Sequence, residues 1–256
     1  MAGQIHCQLE GNVARVTLVH VGKVNAMTRA MWHELAKVFR DLSVLKPLRA
    51  VVIQGQGGDF CAGGDISEYP SFRFETESLA EFHEGDVWGG LSAVLACPVP
   101  VVAQIDGNCM GAGLEIACCC DIRIADEQAR FGAPIAKLGF PMAPREAQLV
   151  ASRLGQSLAS EILLEASVVS AARLHAMGFL NAVVPQAELA DEVAARLQRL
   201  ATLAPQAARL NKQTFQALFG PSERVETLVP HAYDYADSAE HREGIAAFRE
   251  KRAPRH

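Results

Sequence analysis

The sequence has no surplus of positive charge. Its 24 lysines and arginines are outnumbered by 29 aspartates and glutamates, for a net charge of −5. That excludes the basic footprint a nucleic-acid partner requires. The N-terminus, MAGQIHCQLE, lacks a basic start followed by an apolar stretch, so no secretory signal is expected and the expected location is the cytoplasm. The chain has no CxxC and no HExxH, and its seven cysteines are an odd number, which fits reduced thiols acting as small hydrophobes. Cys118, Cys119 and Cys120 are adjacent; on a helix their side chains point about 100° apart and cannot chelate one ion. No metal is expected. No GxxxxGK[ST] or GxSxG occurs, and Gly107, Gly111 and Gly113 do not make GxGxxG. One uncharged stretch, Val87 to Ile105, runs for 19 residues, about a membrane span. Gly89, Gly90, Pro98 and Pro100 divide it into a helix end, a turn and a buried strand, so no membrane partner is expected.

What remains is a globular composition, 256 residues of which half are hydrophobic and 21% charged, enough to bury a substantial core. Ala14, Val16 and Leu18 alternate with Arg15 and Thr17, the pattern of a half-buried strand. Thr28 is placed to cap an amphipathic helix with Met31, Leu35, Val38, Phe39 and Leu42 on one face. "LRAVVIQG" (48–55) and "VPVVAQIDG" (99–107) are short continuous apolar runs, as expected of strands buried on both faces. Residues 70–86 show no clear period and read as a mobile loop and the start of a helix. After residue 143 the pattern turns helical. Ser170 and Gly178 are placed as N- and C-caps. Leu189, Val193, Leu197 and Leu200 form a stripe, and Pro205 and Pro221 each open a further helix. The expected organisation is a core over 1–190 and a C-terminal helical region over 191–256.

Each buried strand is followed by a glycine-rich turn, "QGGDFCAGGDI" after the first and "NCMGAGLEI" after the second. A repeated strand–turn–helix unit indicates an α/β fold with parallel pairing. Such turns expose backbone N–H groups. Two of them can converge on one oxygen as an oxyanion hole, or can simply be two tight turns. Glu115 stands in the first turn of the second helix among Met110, Leu114, Ile116 and Cys118. A glutamate is rarely buried there unpaired, so it is either an acid/base or a capping partner.

The segments "DFCAGGDISE" (59–68) and "GNCMGAGLEIACCCDIRIADEQARFGAP" (107–134) resemble the enoyl-CoA hydratase/isomerase, or crotonase, superfamily. "KVNAMT" (23–28), "SAARLHAMGFLNAVVP" (170–185) and "EGIAAFREKRAP" (243–254) resemble further segments of it, in order. The resemblance implies an α/β spiral of ββα units with a C-terminal helical region that builds homotrimers, often paired into hexamers. It implies an acyl-CoA thioester substrate, with coenzyme A part of that substrate and no separate cofactor. Carried over by position, the thioester oxyanion is held by the N–H groups of Gly64 and Ala112, with Glu115 as acid/base. Ala62, Gly63, Asp65 and Ile66 line the CoA arm, beside Gly111. Lys23, Val24 and Ala26 lie near the nucleotide end. Phe248 and Lys251 reach CoA, often from a neighbouring subunit.

The pattern breaks at Ile135. The family's second hydratase glutamate follows the proline of an "FGxPE" motif, and here the motif reads "FGAPIAKLG". An isoleucine transfers no proton. Arg145 and Glu146 also stand where small residues normally open a helix. Three chemistries remain open. Glu146 or another group replaces the lost acid and preserves water addition to an enoyl-CoA; Glu115 alone shuttles a proton in double-bond isomerisation; or the oxyanion hole serves decarboxylation of a malonyl-type thioester. Arg145 suits a substrate carboxylate or, more simply, a surface helix start. His83, Glu84 and Asp86 border the acyl pocket in the family and are candidates to contribute a group, but read more simply as solvent-facing or as part of a mobile loop, and Lys137 as structural or surface. A catalytically weak acyl-CoA-binding paralogue is the reading of another class.

Overall fold

The computed structural model describes residues 2–219 and 229–252; the helix expected at Pro221 lies outside them. A hairpin of β1 (Gln4–Glu10) and β2 (Val13–Val19) opens the chain, and β1 pairs antiparallel to β2. Strands β3 (Ala50–Gly55), β4 (Val101–Ile105), β6 (Ile122–Asp126) and β9 (Ala182–Val184) then add in parallel. The six-stranded order is β1-β2-β3-β4-β6-β9. A second sheet of three strands holds β5 (Asn108–Met110), β7 (Arg130–Gly132) and β8 (Val168–Ser170), with β7 central.

The continuous apolar runs of β3 and β4 have the expected cause, since both faces of the sheet are covered. Val51, Ile53, Val101 and Ala103 face the main core with Met31, Leu35 and Phe39 of α1 (Arg29–Ser43). Val52 and Val102 face the other way, onto Leu189, Val193 and Leu197 of α8 (Leu189–Thr202). Thr28 caps α1 by accepting from the Met31 N–H at 3.1 Å. Ser170 caps α7 (Ala171–Ala176) by accepting from Arg173, and Gly178 follows it at φ +80°. Pro205 opens α9 (Pro205–Phe219).

Two regions differ from the sequence pattern. The stretch 70–86, expected as a mobile loop and the start of a helix, is largely helical: α2 (Thr76–Ala80) runs through a π-helical turn, Glu81–Val87, into α3 (Trp88–Leu95). Phe72, Arg73, Leu79, Phe82, His83 and Asp86 are buried there. A π-turn shifts the face presented by each residue, so a period of 3.6 could not register it. The second region lies past residue 143, where the helical stretch contains two three-residue strands, β8 and β9, too short to carry a period. No helix among the described residues is long and apolar enough to cross a membrane.

Candidate active site

The two glycine turns lie side by side. The Cys61 N–H donates to the Asn108 carbonyl and the Met110 N–H to that of Cys61, each at 2.8 Å. The first turn is also stitched to Met27, whose N–H donates to Gly63 and whose carbonyl accepts from Asp65, each at 2.8 Å. Backbone groups alternate direction along an extended segment. With Gly63 and Asp65 turned to Met27, the Gly64 N–H faces the opposite side. The first turn leads only into a short 3₁₀ segment, Tyr69–Ser71, rather than the expected helix. The second opens α4 (Ala112–Cys119) directly. Gly111 takes φ +47°, a conformation that favours glycine. A Cβ on Gly113 would lie 2.7 Å from the Cys61 carbonyl oxygen, so the start of α4 seats directly on the first turn. Ala112 is the first residue of α4, where an N–H has no intrahelical acceptor. Neither the Gly64 nor the Ala112 N–H has an acceptor among the described residues.

Both amides border one cavity of about 270 Å³. Ala62, Gly63, Gly64, Ile66, Gly111, Ala112, Glu115, Ile135 and Phe248 line it. Five other expected contacts do not. The Asp65 carboxylate serves its own turn, accepting from the Ser67 N–H and hydroxyl and from Lys23 at 3.3 Å. The Val24 carbonyl accepts from the Ala62 N–H and that of Ala26 takes the His20 ring, so this segment braces the turn. Lys251 is exposed at φ +53°.

Glu115 lies at the apolar heart of the cavity, 6% exposed, with no hydrogen-bond partner among the described residues. Burial pushes its carboxyl pKa well above the ordinary value, and the nearby Glu146 adds to the rise. Glu146 comes from the first turn of α5 (Pro144–Leu154) and is 3% exposed. Its pKa is pushed up to about 8 by burial, against the pull of Arg73; Glu84 also raises it. Two carboxyl groups in one apolar cavity, each disfavoured as an anion, together hold a proton near neutrality.

His83 corrects the sequence reading most sharply. It is buried rather than solvent-facing, lines the cavity, and bonds through Nδ1 to the Glu146 Oε1 at 2.8 Å. Arg73, 1% exposed, reaches the His83 Nε2 at 3.2 Å. Asp86 instead pairs with Arg29 and His33. Glu84 pairs with Arg145 at 3.0 Å and accepts from the Tyr233 hydroxyl. Arg145 therefore faces Glu84 and lies over the Trp88 ring, outside the Glu115 cavity. Lys137 borders the cavity at its exposed edge. Trp32, Tyr69, Phe82 and Phe140 form an aromatic wall that sequence patterning did not indicate; they come from four separate segments. The buried cysteines 118–120 are free, and burial raises their thiol pKa values, so none offers a thiolate. Among the described residues no cluster of three or more His, Cys, Asp or Glu side chains is arranged to hold a metal.

A family model described as Enoyl-CoA hydratase/isomerase matches residues 8–256. The chain is 30% identical over 244 residues to a protein of Mycobacterium bovis named as a probable enoyl-CoA hydratase, echA8, covering 94% of this chain and 93% of that one. It is 28% identical to the (E)-benzylidenesuccinyl-CoA hydratase of Thauera aromatica, covering 96% of each. The crystal structure of an enoyl-CoA hydratase/carnithine racemase from Magnetospirillum magneticum superposes with a TM-score of 0.82 at 36% identity, covering 98% of this chain and 94% of that one.

Proposed function

Because the chain belongs to the enoyl-CoA hydratase/isomerase family, we propose that it adds water reversibly to a 2-enoyl-CoA, with Glu115 and Glu146 as its two carboxyl groups. The observation that carries this reading is Glu146, buried in the same cavity as Glu115 and held by His83. It supplies from α5 the second carboxyl group that position 135 lacks.

Hydration requires charge to build on the thioester oxygen while water joins Cβ and a proton joins Cα. The N–H groups of Gly64 and Ala112 are the donors for that oxygen, each worth about a hundred- to a thousandfold in rate. Of the two carboxyl groups, the ionised one takes a proton from the attacking water. The protonated one gives its own to Cα. One hydroxyl and one proton are added, and transfer between the carboxyl groups resets the pair. The aromatic wall excludes bulk water and seats an apolar acyl group.

The test is a product-resolved assay on 2-enoyl-, 3-enoyl- and malonyl-type CoA thioesters. The expected product is a 3-hydroxyacyl-CoA. Glu115→Gln and Glu146→Gln should each lower its formation by at least about a hundredfold, while CoA-ester binding persists. If Glu146→Gln retains full hydration, the two-carboxylate reading fails. Double-bond movement as the sole reaction, lost only in Glu115→Gln, would assign the chain to isomerisation by a single base.

A further inference from the structure

The two carboxyl groups differ in what surrounds them, and the difference traces to Arg73. This guanidinium is almost wholly buried, and no described carboxylate lies within ion-pair distance of it. Its hydrogen-bond partners among the described residues are neutral. It donates from Nη1 to the His83 Nε2 at 3.2 Å, from Nε to the His241 Nε2 at 3.4 Å, and from Nη2 to the Tyr235 hydroxyl at 3.3 Å. Its Cζ stands 4.0 Å from the Phe140 ring centre and 4.5 Å from that of Tyr69. A guanidinium has donors only and does not lose its proton in a protein. Each imidazole nitrogen it touches must therefore be a bare acceptor, and each neutral ring then carries its proton on Nδ1. His241 uses that proton on the Ala236 carbonyl at 2.9 Å. His83 uses its own on Glu146 at 2.8 Å. The His83–Glu146 contact is thus a neutral imidazole donating to a carboxyl oxygen, and it favours that oxygen unprotonated.

We infer that Arg73 is a positioning residue that fixes His83 as the Nδ1–H tautomer, makes Glu146 the member of the pair that ionises first and leaves the proton on Glu115. This assignment rests on the two-carboxylate reading of the site and gives it direction: Glu146 takes the proton from water and Glu115 supplies the one that goes to Cα. Glu115 has no donor of its own among the described residues.

Of the other charged groups around Glu146, Glu84 brings negative charge and Arg73 opposes it. Arg145 is engaged with Glu84, and Lys137 sits at the exposed edge of the cavity. Burial keeps the nearby tyrosines neutral, with the Tyr69 and Tyr235 hydroxyls each raised to about 12 and that of Tyr233 raised further. Burial also lowers His83 well below its ordinary value and His241 to about 4, and the Arg73 charge lowers both further.

Nitrogen-15 and carbon-13 NMR on labelled full-length protein tests the assignment without substrate. His83, assigned by signal loss in His83→Asn, should carry its proton on Nδ1 and stay neutral from about pH 5 to 8. The Glu146 carboxyl, assigned with Glu146→Gln, should titrate below that of Glu115. In Arg73→Met the Glu146 titration should move up by about one pH unit, and Arg73→Lys should reverse at least half of that shift. A proton on His83 Nε2, a titrating His83, Glu115 ionising first, or an unmoved Glu146 overturns the inference. If Arg73→Met does not fold, the wild-type tautomer and the Arg73→Lys titration still decide. Where hydration is measurable, the acid limb of kcat should follow the same shift, with KM changed by less than about threefold. A protein with this tautomer and titration order but no hydration would leave the relay standing and sink the hydratase reading alone.

Discussion

A carboxyl group whose pKa rises on folding makes stability depend on pH, and Glu146 is the clearest case. It moves from an ordinary 4.5 to about 8, principally through burial. Below pH 4.5 it is protonated in both folded and unfolded chains and costs nothing. Between 4.5 and about 8 the unfolded chain releases the proton while the folded one keeps it, so the unfolded state is favoured and stability falls as pH rises. Above about 8 both states are ionised and the loss is complete. Glu146→Gln removes this linkage. Urea unfolding at pH 5 and pH 8 should show the variant gaining on the wild type by on the order of a few kcal/mol across that interval. A difference that stays constant with pH would mean that the Glu146 carboxyl is not held in the protonated form by its surroundings. At this scale the sequence singled out Gly64, Ala112 and Glu115, which border one cavity in the structure, because each sits inside a contiguous motif. It disclosed the loss at Ile135 for the same reason. It could not disclose Arg73, His83 and Glu146 as a group. They lie 10 and 63 residues apart along the chain, and only tertiary packing brings them together.

At the scale of the element, the π-helical turn Glu81–Val87 does the positioning. It faces His83 toward Glu146 while Asp86, on the same turn, pairs with Arg29 and His33. Elements with a long uniform period, such as α1 and α8, were legible in the sequence; this turn was not, since one extra residue breaks the period it would be recognised by. Its weak point is Gly85. This residue is exposed, and a Cβ there would meet nothing nearer than the Glu81 Cγ at 3.9 Å. Glycine in a helical interior costs about 0.5–1 kcal/mol relative to alanine through the entropy of the unfolded chain. Gly85→Ala should raise the urea midpoint accordingly while turnover stays unchanged. Lower stability would show that the turn needs the freedom of glycine.

At the scale of the whole molecule, the cavity is closed by the end of the chain. The helix α10 (Ala239–Arg249) brings His241 to Arg73 and Phe248 to the cavity wall. It docks by close approach: a Cβ on Gly244 would lie 2.3 Å from the Leu138 carbonyl carbon and oxygen and 2.8 Å from the Gly139 nitrogen. These are backbone atoms and cannot swing aside as the end of a flexible side chain can. Gly244→Val must therefore displace either α10 or the 3₁₀ segment Pro134–Leu138 that carries Ile135. Both line the cavity, whereas the parallel sheet and its two buried faces lie elsewhere. The expected result is a lesion confined to the site. Far-ultraviolet circular dichroism should stay near wild type. The melting temperature should fall by several degrees, as about 1–3 kcal/mol of overpacking implies. Turnover should fall by at least about tenfold, because Arg73 loses the His241 contact and the cavity wall opens. Wild-type turnover in Gly244→Val would show that the C-terminal helix is not needed to complete the site, and loss of the circular-dichroism signal would show that the whole fold depends on its docking.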